Sequence, residues 1–317
     1  MAKQQIRLDR QGTNAKPATG FTLVELLVVI AVIALLMAIL VPVLHRAREA
    51  GKRAVCMGHL RQLQIAWQAY AENHDGFIVN GQTERGVEHP GGKAWLIDAP
   101  SDSSRPESRA EAEAWMRTGA LAPYVGNVKI YRCPSQYKLG PFFGAPPLPM
   151  YVQWLSPYGI VSPMNCRPPP ERKRLEADFI KYRGSSPIPA FITRLSQLSP
   201  PGAAHRMVFL DAGCPRWSHS VPPDHEIMGT SPITDQGWTF AGHGPPIHHS
   251  KGTCMSFADG HVEYWKWKHP YTVTWSQAWL DWFDHGGTLP DEEHRFPSDP
   301  ASQDYAEFYE AIWGRRP

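Results

Sequence analysis

Residues Phe21 to Leu44 read FTLVELLVVIAVIALLMAILVPVL, 24 residues with a single ionisable side chain, Glu25. A bilayer core of about 30 Å is crossed by roughly 20 helical residues. Lipid offers no hydrogen bonds to the backbone, so the segment must be a helix. The stretch therefore predicts a transmembrane helix. A cleaved secretory signal has a shorter apolar core and a small-residue site after it. Here His45-Arg46-Ala47-Arg48 follows instead. A plain signal anchor fits the apolar run but gives Glu25 no role. A carboxylate just inside a spanning helix is costly and calls for a partner or a function. The modest reading is an acid that snorkels to the headgroups.

Upstream, Met1 to Gly20 is polar, with Lys3, Arg7, Arg10 and Lys16 against Asp9. The distal flank carries Arg46, Arg48, Lys52 and Arg53, so flanking charge does not set an orientation. The octet Gly20-Phe21-Thr22-Leu23-Val24-Glu25-Leu26-Leu27 resembles the processing site of type IV prepilins and type II secretion pseudopilins. The resemblance implies cleavage between Gly20 and Phe21 by a prepilin peptidase and methylation of the new Phe21 amine. It also implies a role for Glu25, now the fifth residue, in neutralising the amine of a neighbouring subunit. Buried opposite charges fix register between packed helices without needing to add stability. The same resemblance places the leader in the cytoplasm and the globular part outside a single-pass inner membrane anchor. The implied partners are the peptidase, other pilin-like subunits through the amino-terminal helix, and membrane lipid.

Downstream, Cys56, Leu60, Leu63, Trp67 and Tyr70 recur at four, three, four and three residues, one apolar stripe of a helix. The helix should continue past the membrane as a stalk and stop at Asn73-His74-Asp75-Gly76, a turn signal. Pro42 should kink it. The expected architecture is α+β, a long amino-terminal helix against an antiparallel sheet with loop insertions, the layout pilin-like proteins share. The divisions are a leader at 1–20, a transmembrane helix at 21–44 and a stalk at 45–73. An α+β domain follows at 74–270, with a proline-rich excursion about 141–170, and then a helical extension at 271–317.

Within that domain the sequence predicts a helix over 106–117, a short strand over 128–132 and a buried strand from Met207 to Asp211. Asp259-Gly260 joins two alternating runs, 253–258 and 261–266, as a two-residue hairpin. That register pairs Phe257 with Val262 and Met255 with Tyr264. A short helix over 276–283 ending at Gly286-Gly287, and an amphipathic helix carrying Tyr305, Phe308, Tyr309, Ile312 and Trp313, complete the chain.

Nine residues lie between His249 and Asp259-Gly260-His261, and this spacing resembles the "H-X9-DG" signature of a large group of prepilin-type proteins. Cys56-x-x-x-Leu60, Tyr131-Arg132-Cys133-Pro134 and the strand ending at Asp211 match the layout of that group. Residues His248, His249, Asp211, Asp259 and His261 are of types that bind divalent metals. The turn already accounts for Asp259-Gly260, so the structural reading is preferred and no metal or other cofactor is expected. A polar contact from His249 to Asp211 or to Asp259 would pin the loop to the hairpin. Cys56 and Cys133 are a candidate disulfide, a connectivity that sequence leaves open. No base is grouped with any one of the five cysteines, so thiol catalysis is not expected.

Composition agrees. With 32 Lys+Arg against 30 Asp+Glu the net charge is +2, which gives no ground for a nucleic-acid partner. The 26 Gly and 31 Pro exceed the average share of about 12% and predict many loops. Twelve tryptophans argue for a folded chain. The expected role is structural, a subunit of a type IV pilus or type II secretion pseudopilus assembly, and not enzymatic. The alternative is a membrane-tethered ligand- or metal-binding domain that uses the prepilin signal for targeting alone.

Overall fold

The computed structural model describes residues 22–81, 84–85, 92–97, 99–100, 108–135, 158–161, 163–166, 185–211, 246–270, 272–274, 276–278 and 303–313, with isolated positions between 173 and 180. The chain divides into two compact units, Met1–Arg48 and Glu49–Pro317. Helix α1, Leu23–Glu72, runs 50 residues and contributes to both.

In the first unit α1 is apolar on every side from Leu26 to Leu44, and residues 22–48 are all exposed. It is long and apolar enough to cross a membrane. The helical assignment is continuous through Pro42, where the sequence predicts a kink. Its first residue is Leu23, because Thr22 occupies the capping position ahead of it.

In the second unit α1 carries the expected stripe. Cys56, Leu60, Leu63, Trp67 and Ala71 are fully buried. The helix stops where the turn signal lies: His74 and Gly76 donate backbone N–H groups to the Ala71 carbonyl, and Asp75 and Gly76 take φ of 53° and 76°. The His74 ring stacks on Tyr70 at 3.8 Å.

The stripe packs on a four-stranded antiparallel sheet of order β3-β4-β5-β6, formed by Tyr158–Ile160, Met207–Asp211, Gly252–Phe257 and Val262–Lys266. Two two-residue strands, β1 (Glu84–Arg85) and β2 (Ala99–Pro100), pair in parallel apart from it. Ser256 Oγ donates to Gln64 Oε1 of α1 at 2.9 Å, and Gln68 Nε2 donates to the Ala258 carbonyl at 2.8 Å. The other face of the sheet meets helix α3, Gln303–Trp313, whose Phe308 contacts Trp265 and Trp267 edge-on or tilted. Because it is covered on both sides, β5 is buried at every position.

Several sequence readings are corrected by these elements. The hairpin is present, but its register is one residue away from the predicted one, with Ser256 opposite Val262 and Met255 opposite Glu263. The loop has three residues, Ala258, Asp259 and Gly260. Phe257 N–H donates to the His261 carbonyl and Gly260 takes φ of 99°. A three-residue loop ending in a left-handed glycine is the next most common hairpin solution after the two-residue turn. With both faces of β5 buried, neither register leaves an apolar residue in water, so alternation could not choose between them.

Residues Val128–Tyr131 form a 3-10 helix and not a strand, because the Asn127 side chain accepts the Lys129 N–H and curls the chain. Strand β3 lies in the stretch read as an irregular proline-rich excursion. It pairs Tyr158 with Asp211 and is fully buried, leaving the flanking prolines outside the ladder. The predicted 106–117 helix is α2, Arg109–Met116, capped by Ser108. Phe308 and Ile312 of α3 are in the core, so this helix packs within the second unit. Most of the predicted 276–283 helix and its Gly286-Gly287 end lie outside the described residues.

Leu63 is fully buried and Ile65, two residues on, is 55% exposed. Leu63→Ala should destabilise the domain by about 2–5 kcal/mol through lost burial and the cavity left behind. Ile65→Ala should stay within about 0.5 kcal/mol. Chemical denaturation of the two variants beside the parent chain checks the difference.

Candidate functional site

Glu25 stands at the third position of α1, and Gly20 and Phe21 lie outside the described residues. Its carboxylate oxygen Oε2 accepts from the Thr22 backbone N–H at 2.8 Å and from Thr22 Oγ1 at 2.7 Å. Thr22 Oγ1 in turn accepts the Glu25 N–H at 3.2 Å. This is a reciprocal capping box: each side chain satisfies a backbone donor that the first helical turn leaves without a partner. The signal was present in the sequence as Thr22-x-x-Glu25 before an apolar run. It adds a local structural role for Glu25 to the intersubunit one that the resemblance implies.

The second group of singled-out residues separates. Asp259 and His261 remain at the hairpin tip, where Asp259 Oδ1 accepts from the His261 backbone and ring and both side chains are partly exposed. Asp211, His248 and His249 come together with Cys56 and Cys133 in the core. Four segments far apart in sequence deliver them. Cys56 sits on the packed stripe of α1. Cys133 follows the 3-10 helix, and the preceding Arg132 carbonyl is held at 2.8 Å by His59 Nδ1 of α1. Asp211 ends β4. The histidines lie in a tight loop before β5, in which Ser250 and Lys251 take φ of 55° and 71°. Tyr264 Oη donates to the His249 and Ser250 carbonyls and Trp267 Nε1 to that of Pro246, which hold this unusual backbone in place. The loop ends at Gly252, where any Cβ would collide with the Trp265 carbonyl across the ladder.

The distances are short throughout. Cys56 Sγ donates to Asp211 Oδ2 at 2.9 Å. His248 Nε2 lies 2.9 Å and His249 Nε2 3.2 Å from that same oxygen. Cys133 Sγ is 3.2 Å from His249 Nε2. Thr253 Oγ1 fixes the Asp211 backbone carbonyl. Asp211 is fully buried, and His249 and Cys133 are 1% and 5% exposed.

Burial alone would raise the Asp211 carboxyl, but the two imidazoles beside it hold it well below the usual carboxylate range. Burial likewise opposes charge on the histidines, yet Asp211 and Cys133 raise His248 to about 9 and His249 to about 10. For Cys133, burial is outweighed by contact with Cys56 and the two imidazoles, and its thiol falls to about 5. Cys56 is pushed far up, by burial first and then by Cys133. The carboxylate and the imidazoles thus favour each other's charged forms, and Cys56 donates to the Asp211 carboxylate.

Of the two polar contacts that the sequence suggests for His249, the one to Asp211 is formed; Asp259 makes no such contact among the described residues. The absence of a base beside any cysteine is corrected, since His249 touches Cys133 across 116 residues. No local spacing announces such a pair, because the topology alone creates it. Both groups are buried, so the pair is not arranged as a nucleophile open to substrate. Cys56 and Cys133 are neighbours, and both are free thiols.

The family model of the prokaryotic N-terminal methylation motif matches residues 16–41, over the end of the polar amino-terminal stretch, Glu25 and most of the apolar run. A ComG operon protein 3 homolog from Bacillus licheniformis is 33% identical over 85 residues, which span 25% of this chain and 88% of that protein. No solved structure matches. The motif, the relative and an α+β domain built on a long apolar helix agree: the chain belongs to the prepilin-type proteins that carry the N-terminal methylation motif.

Proposed function

We propose that the chain is a structural subunit of a type IV pilus or type II secretion pseudopilus-type assembly. It is made as a precursor, cleaved between Gly20 and Phe21 by a prepilin peptidase, and methylated at the Phe21 amine. The observation that carries the reading is the methylation motif at 16–41, laid over a helix whose one ionisable side chain up to Leu44 is Glu25. Before assembly the helix stands in the inner membrane with the domain on the extracytoplasmic side. In the assembly, the exposed apolar side chains from Leu23 to Leu44 pack against the same segment of other pilin-like subunits. Helices without a solvent-driven force between them associate through close packing and a few polar contacts. Glu25, the lone acid, supplies that polar contact and sets the stagger. The relative from Bacillus licheniformis, similar across most of its own length, supports this reading over that of a tethered ligand- or metal-binding domain for the quarter of the chain it matches.

The mature polypeptide should begin at Phe21 and carry one added methyl group, which the intact mass of the chain purified from membranes reads directly. A chain that still begins at Met1 would overturn the assignment. Glu25→Ala should insert into the membrane at parent levels, yet be lost from sheared or extracted fibres. Incorporation of that variant at the parent level would argue against the charge-pairing role.

A further inference from the structure

We propose that Cys56, Cys133, Asp211 and His249 form a closed structural site for a zinc-like divalent cation. The ligand atoms of these four residues all lie within 4.8 Å of one another, and all four side chains are buried. A tetrahedral ion with bonds of roughly 2.0–2.3 Å sets its donors roughly 3.3–3.8 Å apart. The separations of 2.9 Å from Cys56 Sγ to Asp211 Oδ2, 3.2 Å from His249 Nε2 to Asp211 Oδ2 and 3.2 Å from Cys133 Sγ to His249 Nε2 fall just short of those edges. Small outward movements of the side chains admit the ion.

The donor set selects the metal class. Two sulfurs, one imidazole nitrogen and one carboxylate oxygen suit zinc and other borderline-soft ions, whereas calcium and magnesium take oxygen donors. On binding, both cysteines coordinate as thiolates, and the protons carried by Cys56 Sγ, Cys133 Sγ and His249 Nε2 leave to solvent. His248, 2.9 Å from Asp211 Oδ2, then acts as a positioning residue that orients the carboxylate and offsets negative charge. The ion joins α1, the segment after the 3-10 helix, the end of β4 and the loop before β5. Four protein ligands leave no open position, which is the arrangement of a structural site and not of a catalytic one. The site also gives a reason for polar groups in a core where apolar side chains of similar volume would serve stability as well or better.

The rival occupant of the same space is a Cys56–Cys133 disulfide, which an oxidising compartment permits. The full chain is extracted from membranes into detergent. One portion is denatured in a thiol-blocking reagent for mass analysis, and the other is assayed for metal. The expected result is roughly one equivalent of zinc per chain with all cysteines blocked. Removal by chelator followed by cobalt(II) should give thiolate charge-transfer bands and the strong visible bands of a tetrahedral ion. Cys133→Ser and His249→Gln should each lower bound zinc to below roughly a tenth of an equivalent, and the turn variant His261→Ala should keep it. A chain that is metal-free and gives no cobalt bands overturns the proposal. So does a Cys56–Cys133 disulfide in the blocked portion, or full zinc in both ligand variants. Should the ligand variants fail to accumulate, the cobalt spectrum of the parent chain decides alone.

Discussion

The seating of one helical stripe on one sheet is the contact around which the globular unit is organised. Cys56, Leu60, Leu63 and Trp67 reach zero exposure inside one core cluster that they share with the residues of the sheet. Polar contacts follow the same row. Gln64 holds β5 through Ser256, Gln68 holds the hairpin tip through Ala258, and His59 holds the segment before Cys133 through Arg132. Those three contacts reach elements separated from α1 by about 70 to 190 residues. An apolar stripe fixes which face of a helix is covered, but hydrogen bonds fix rotation and register. Both act here in the same direction, so the helix has one way to sit.

The same seating explains why the polar cluster exists at all. Cys56 belongs to the apolar stripe by position, and its thiol is small enough to be carried into the core with it. There it meets the end of β4, where a strand-terminal acid would ordinarily face water. A buried carboxylate without partners would be strongly disfavoured. Two histidines from the next loop supply the opposite charge, and Cys133 and Cys56 complete the set. The backbone of Ser250 and Lys251 adopts left-handed angles to make this possible. Non-glycine residues hold such angles only where the surrounding structure imposes them.

What was legible in the sequence was whatever repeats locally. The apolar run, the stripe from Cys56 to Tyr70, the stop at Asn73-His74-Asp75-Gly76 and the strand from Met207 to Asp211 all announce themselves by spacing or by turn chemistry. The hairpin was legible as a hairpin, but its register was not. Asp259-Gly260 fits both a two-residue and a three-residue loop, and a strand buried on both faces has no wet side to break the tie. Strand β3 was hidden because three residues flanked by prolines carry too little alternation to be seen. Val128–Tyr131 reads as a strand by composition, yet one Asn127 side chain turns it into a 3-10 helix. For the cluster, Asp211, His248 and His249 were singled out, but their company was not. The residues that complete it, Cys56 and Cys133, read from sequence as a candidate pair with each other and not with the histidines. Contacts across 116 and 155 residues are set by topology, and no periodicity encodes them.

Glu25 shows how a single carboxylate can serve two demands without conflict. Within the chain its oxygen Oε2 accepts both hydrogen bonds from Thr22, closing the first turn of α1. Oxygen Oε1 makes no hydrogen bond among the described residues. An ionised carboxylate has about four lone-pair directions, so one edge of the group is spoken for and the other is open. A cationic amine approaching from a neighbouring helix can therefore be accepted without undoing the cap. Cleavage after Gly20 would leave the box intact as well, because its donors belong to Thr22 and Glu25. A carboxylate held by its own helix is also oriented before a partner arrives, so less side-chain freedom is lost when the intersubunit contact forms. Glutamine at this position could still cap the helix, but it would bring no charge to meet the amine. Under the proposed intersubunit pairing the acid is needed for its charge, whereas the helix end asks only for a hydrogen-bond acceptor.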